Sequence, residues 1–197
     1  MSRRSRSREI PVTVLTVCIG NICRSPLAEQ LLRAQLAGDD RFEFGGAGLH
    51  TRDGIPMDQE SAGRSLFHGG NPEGALSSSL VEGHARSADL ILTMTVGQRD
   101  ELLSRHPFAL RRAFTLAEFT ALAGALAEEG QLPQAPATPT DIREFIALAS
   151  GARALAQLGK DDDVPDPVNA SAEVHRQVAE QIAGYTAEIA KLLASTR

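Results

Sequence analysis

Along this chain, short runs in which almost every position is apolar alternate with longer stretches in which apolar residues recur every three or four positions. The run from Ile10 to Cys18 predicts a strand buried on both faces, because its apolar residues are successive rather than alternate. Helical spacing over Pro26 to Ala37 predicts the first helix, Arg41 to Gly45 a second strand, and Asp58 to His68 a second helix. "ADLILTM", Ala88 to Met94, is the best strand signal after the first. Thr95 to Arg105 follows as a helix with Thr95 and Gln98 at capping-box spacing, and Thr115 with Glu118 repeats that spacing at the start of a helix over Leu116 to Glu129. Between those helices, Arg111 to Thr115 reads as a short fourth strand. Pro133, Pro136 and Pro139 then mark an exposed loop before a helix over Asp141 to Leu158. Gly159 to Ala170 is irregular, and Ser171 to Ala194 is a terminal helix. Such alternation predicts an α/β fold: a parallel sheet covered by helices on both faces.

Composition narrows this picture without changing it. A chain of 197 residues holds one domain with a real core, expected over residues 10–197 behind a flexible basic tail, 1–9, that carries Arg3, Arg4, Arg6 and Arg8. The tail and the apolar run after it mimic a secretory signal, but Pro11, Thr13 and Thr16 interrupt the run and no small-residue cleavage site follows. No apolar run approaches the roughly 18 residues of a membrane span, so a cytoplasmic protein with no membrane partner is expected. The net charge of -5 argues against nucleic acid as a partner. With two cysteines, neither a disulfide scaffold nor a four-cysteine zinc site can be built.

The chemistry concentrates in "VLTVCIGNICRSPLAEQLLR", Val14 to Arg33. In an open parallel sheet, ligands bind beyond the carboxyl ends of the strands, where a loop enters the next helix. Cys18 to Arg24 is that loop, with Ser25 expected to cap the helix and Pro26 suited to its first turn. Loop amides and the helix dipole directed at one point attract an anion and favour a thiolate at Cys18. Arg24 can offer parallel N–H donors to a phosphoryl group. Gly20 is expected to let the backbone turn around the anion, and Asn21 to brace it.

The segment "VCIGNICRSPLAE" resembles the signature of the low-molecular-weight protein-tyrosine-phosphatase family, bacterial type, almost residue for residue. "GGAGLHTRDGIPMD", "SADLILTMTVGQRDELL" and "VPDP" with the final helix extend the likeness. The resemblance implies three layers with a four-stranded parallel sheet, no metal and no cofactor. It implies a nucleophile at Cys18, a phosphate clamp at Arg24 and a general acid at Asp166, with Pro167 stiffening the acid's loop. Ile19, Gly20, Asn21, Ile22, Cys23, Arg24 and Ser25 would form the phosphate-binding loop, with Asn21 and Ser25 hydrogen-bonding the loop and the thiolate. Cys23 would be a redox partner that forms a reversible disulfide with Cys18. The implied activity is hydrolysis of a phosphomonoester through a phosphocysteine, and the implied partner a phosphotyrosine-bearing protein; a monomer or weak homodimer is expected, though nothing in the sequence demands a dimer.

The chain also departs from that pattern. Val168 stands where the family usually has a tyrosine lining the cleft, and Gly46-Ala47-Gly48 replaces a Ser-Ala-Gly whose serine braces the loop. A helical insert over about 118–160 exceeds the basic fold. His50 is expected near the cleft edge, while the five histidines show no metal-ligand spacing and the others read as filling. Two other functions stay open: a phosphate or phosphopeptide-binding module without turnover, and arsenate reduction, whose thiol-relay versions need cysteines beyond Cys23. Relatives that cleave phosphoarginine tend to carry threonine at the position of Ile22, which here favours an aromatic phosphoester.

Overall fold

Strand β1 (Val12–Cys18) lies in the middle of the molecule, and its side chains divide between two hydrophobic layers. The computed structural model describes residues 9–153 and 162–197. Around β1 a four-stranded sheet forms in the order β2-β1-β3-β4, with β2 (Phe42–Gly48), β3 (Leu90–Thr93) and β4 (Ala113–Thr115) all paired in parallel. Val12, Val14 and Cys18 face the larger core, Leu15 and Val17 the smaller one. Two buried faces explain why the sequence of β1 is an almost unbroken apolar run.

The larger core lies under α1 (Arg24–Gln35), α5 (Leu116–Glu128), α6 (Pro139–Gly151) and α7 (Ala172–Ala194), with α2 (Gln59–Phe67) against α1 and α7. Phe114 and Phe119, both fully buried, pack there with ring centroids 5.3 Å apart. Helices α3 (Glu82–Ser87) and α4 (Val96–Arg105) cover the other face, contributing Ala85 and Leu102 to the smaller core. Leu122, Leu126, Ile142, Phe145 and Ile146 belong to the main core, so the chain from α5 through α6 is packed against the sheet layer and not appended to it.

Several boundaries differ from expectation for physical reasons. Ile10 is exposed and β1 starts at Val12. The second strand extends past the expected end at Gly45 to Gly48, because β1 supplies partners as far as Cys18. The last part of the expected Asp141 to Leu158 helix, beyond residue 153, lies outside the described residues, as does the basic tail apart from Glu9. Among the described residues no helix is long and apolar enough to cross a membrane.

Candidate active site

At the carboxyl end of β1 the chain turns through Ile19 to Cys23 into α1. Neighbouring backbone fixes the loop's peptide units: the N–H groups of Leu49 and His50 donate to the carbonyls of Cys18 and Ile19, both at 2.9 Å, and that of Asp58 donates to Ile22 at 2.8 Å. Gly48 permits this approach, since a Cβ there would lie 2.8 Å from the Ile19 carbonyl oxygen. The tight turn falls at Asn21, whose φ of 50° is left-handed, and not at Gly20 as expected from the sequence.

Asn21 is the hub of the loop. Its backbone N–H donates to Cys18 Sγ (3.2 Å), its Nδ2 to Ser25 Oγ (2.9 Å), and its Oδ1 accepts from the Ser78 N–H (2.9 Å). Ser25 does not cap α1: Cys23 occupies that position without a side-chain hydrogen bond, and Ser25 lies in the first turn with its hydroxyl donating to Cys18 Sγ at 3.0 Å. Pro26 is also in that first turn, where an N–H has no helical partner to lose. Two donors thus converge on a sulfur at the helix mouth, an arrangement that stabilises negative charge on it. The space beside Gly46 is taken by Glu29: a Cβ at Gly46 would meet Glu29 Oε2 at 2.6 Å and Asn21 Nδ2 at 2.8 Å. Asn21 is therefore held by Ser25 and Ser78 in the absence of a serine at 46.

Arg24 begins α1 and is 4% exposed. Its Nη2 pairs with Asp166 Oδ2 at 2.7 Å and its Nη1 donates to the Val164 carbonyl at 3.1 Å, while Nε is buried without a partner. A buried guanidinium N–H without a partner among the described residues is a donor suited to an anion's oxygen. Asp166 is half exposed and lies on a loop whose Val164 is fully buried in the main core. Val168, two positions on, is exposed and donates its N–H to Asp166 Oδ1 at 3.3 Å.

His50 meets the loop through its backbone only. Its exposed ring is 2.7 Å from Glu101 Oε1 and 3.3 Å from Arg105 Nη2, both on α4. Ile22 and Ile19 are half-buried on the loop. Cys23 is 3% exposed, and burial pushes its thiol up to about 11 against the opposing hydrogen bond of Ser61, with the charges of Asp58, Cys18 and Asp166 adding to the rise. Behind it, buried His175 of α7 places Nδ1 3.4 Å from Ser61 Oγ and 3.6 Å from Asp58 Oδ1. From the sequence alone His175 reads as filling. No local spacing could have joined it to Asp58 and Ser61, which come from the other end of the domain. Ser78, Asp163 and Val164 were missed for the same reason. Among the described residues no group of three or more His, Cys, Asp or Glu side chains is arranged to hold a metal ion.

Comparison with known proteins agrees with this geometry. Residues 13–147 match the family model described as low molecular weight phosphotyrosine protein phosphatase, a match that ends before the Asp166 loop. The chain is 39% identical over 106 residues to the probable low molecular weight protein-tyrosine-phosphatase EpsP of Ralstonia nicotianae, covering 54% of this chain and 71% of that one. Among solved structures it is similar to the YwlE arginine phosphatase from Geobacillus stearothermophilus, with a TM-score of 0.68, 25% identity and 94% of each chain covered. It is also similar to a low molecular weight protein tyrosine phosphatase from T. tengcongensis, with a TM-score of 0.67, 26% identity, and 91% of this chain and 98% of that one covered. With a family model matched over more than half of its length and a relative 39% identical, the chain belongs to the low-molecular-weight protein-tyrosine-phosphatase family.

Proposed function

We propose that this protein hydrolyses phosphotyrosine on protein substrates through a phosphocysteine formed on Cys18. The observation that supports the reading is that Asp166, from the far end of the chain, pairs with Arg24 of the loop that carries Cys18, where two donors are aimed at Sγ and the arginine's Nε is buried without a partner among the described residues. The sulfur attacks phosphorus, an S–P bond forms, and the P–O bond to the phenol breaks as Asp166 gives the leaving oxygen its proton. Arg24 binds two non-bridging oxygens, releasing Nη2 from Asp166 as the phosphoryl group enters. Water then transfers a proton to Asp166 while its oxygen attacks phosphorus. The S–P bond breaks, inorganic phosphate leaves, and the Asn21 N–H and Ser25 hydroxyl receive the returning thiolate.

Half-buried Ile22 and exposed Val168 form the apolar cleft wall in this reading, with His50 at its outer edge. Cys23 serves as resolving thiol: a peroxide oxidises Cys18 to a sulfenic acid, and attack by Cys23 sulfur expels water to leave a disulfide. The enzyme remains the cytoplasmic monomer or weak dimer expected from the sequence, acting without nucleic acid.

Hydrolysis of p-nitrophenyl phosphate by wild type, Cys18→Ser and Asp166→Ala tests this. Turnover should vanish in the serine variant and fall about 10²–10⁴-fold in Asp166→Ala. Preference for a phosphotyrosine peptide over phosphoarginine supports the substrate assignment, and the reverse preference rejects it. Phosphate binding by reduced wild type without turnover would establish a binding module instead.

A further inference from the structure

We propose that Asp163 is a positioning residue: it latches the loop carrying Asp166 to the first turn of α4 and so sets where the proton donor stands over the phosphate loop. The proposal rests on the reading of Asp166 as proton donor and goes on to say what holds it there. Val96 opens α4, and its N–H is one of those that a helix cannot satisfy internally. Thr95, the cap, spends its hydroxyl on the Gln98 N–H at 3.1 Å, and Asp163 Oδ1 accepts from Val96 at 2.7 Å. The next residue repeats the attachment through its backbone: the Val164 N–H donates to the Met94 carbonyl at 2.9 Å, and its carbonyl accepts from Arg24 at 3.1 Å. Met94 is itself tied to α4, its N–H donating to Gln98 Oε1 at 3.0 Å.

Beyond these anchors, Pro165 and Pro167 restrict the chain on either side of Asp166. Asp166 is half exposed, so its placement comes from the loop's anchors, the pairing with Arg24 and the Val168 N–H, and not from burial. Asp163 contributes its side chain to those anchors, beside the Arg24 guanidinium that holds the Val164 carbonyl.

The test uses leaving groups of different basicity, because a misplaced proton donor hurts most where the departing oxygen needs the proton. Asp163→Ala should lower kcat on phenyl phosphate about tenfold or more and on p-nitrophenyl phosphate only about threefold, with KM little changed. Asp163→Asn, which keeps an acceptor oxygen, should recover most of that loss. Val96→Pro removes the donor at a helix position that accepts proline, after a residue already extended, and should reproduce the Asp163→Ala pattern. The double variant should be no worse than either single one. Equal losses on both substrates, no loss, or an asparagine variant no better than alanine would overturn the latch. If Asp163→Ala does not fold, Val96→Pro decides alone. An Asp166→Ala variant without leaving-group dependence would instead refute the donor assignment, and the latch would fall with it.

Discussion

Both cysteines are buried, but Cys18 receives two hydrogen bonds at the mouth of a helix, whereas Cys23 has Ser61 and the charge of Asp58 for neighbours. The folded state keeps the Cys23 proton up to about 11, above the ordinary value of 9.0. In the unfolded chain that proton leaves near the ordinary value, so the contribution to stability is complete below it and is lost as pH rises through the folded value. Denaturant unfolding followed at rising alkaline pH should show a decline that Cys23→Ala lessens. Much of this residue-level arrangement was legible: Cys18, Arg24 and Ser25 sit close together in one contiguous motif, and Asp166 lies in an Asp-Pro that the resemblance singles out. The left-handed backbone at Asn21 was not, since a glycine one position earlier offered the more familiar explanation. Nor was the Ser61, Asp58 and His175 cluster behind Cys23, which exists only once α2 and α7 are packed together.

At the scale of elements, capping chemistry was the most readable signal. Asp58, Thr95 and Thr115 each accept from the N–H three residues on, at the helix starts expected from spacing. Glu118 completes the box at Thr115, accepting its N–H at 3.2 Å, and also binds Arg99 and Arg153 at 2.9 Å each, joining α4, α5 and the chain after α6. Glu118→Ala should therefore cost about 1–3 kcal/mol, read as a lower denaturant midpoint, because a buried backbone donor loses its partner as well as the cap. What spacing did not reveal was α3, whose six residues carry too few positions for a period to emerge. Nor did it reveal that β2 continues through Gly46 and Gly48. Their reason is three-dimensional: Gly46 leaves room for Glu29 and Gly48 for the phosphate loop.

For the whole molecule, the sheet divides the interior unequally. The larger core joins α1, α5, α6 and α7 and encloses Val164, while the smaller one holds α4 mainly through Leu102. Elements with less buried apolar contact open at lower free energy, so the amides of α3 and α4 should exchange with solvent before those of α1 and α7, measurable by hydrogen exchange. The loop bearing Asp166 is fastened to both layers, through Val164 to the heavy side and through Asp163 to the light one. With that loop fastened to the lighter layer, turnover is expected to fall on heating before most of the helical signal is lost, which activity and circular dichroism followed over one temperature ramp would check. Activity lost in that range is expected to return on cooling, since the larger core would have stayed folded.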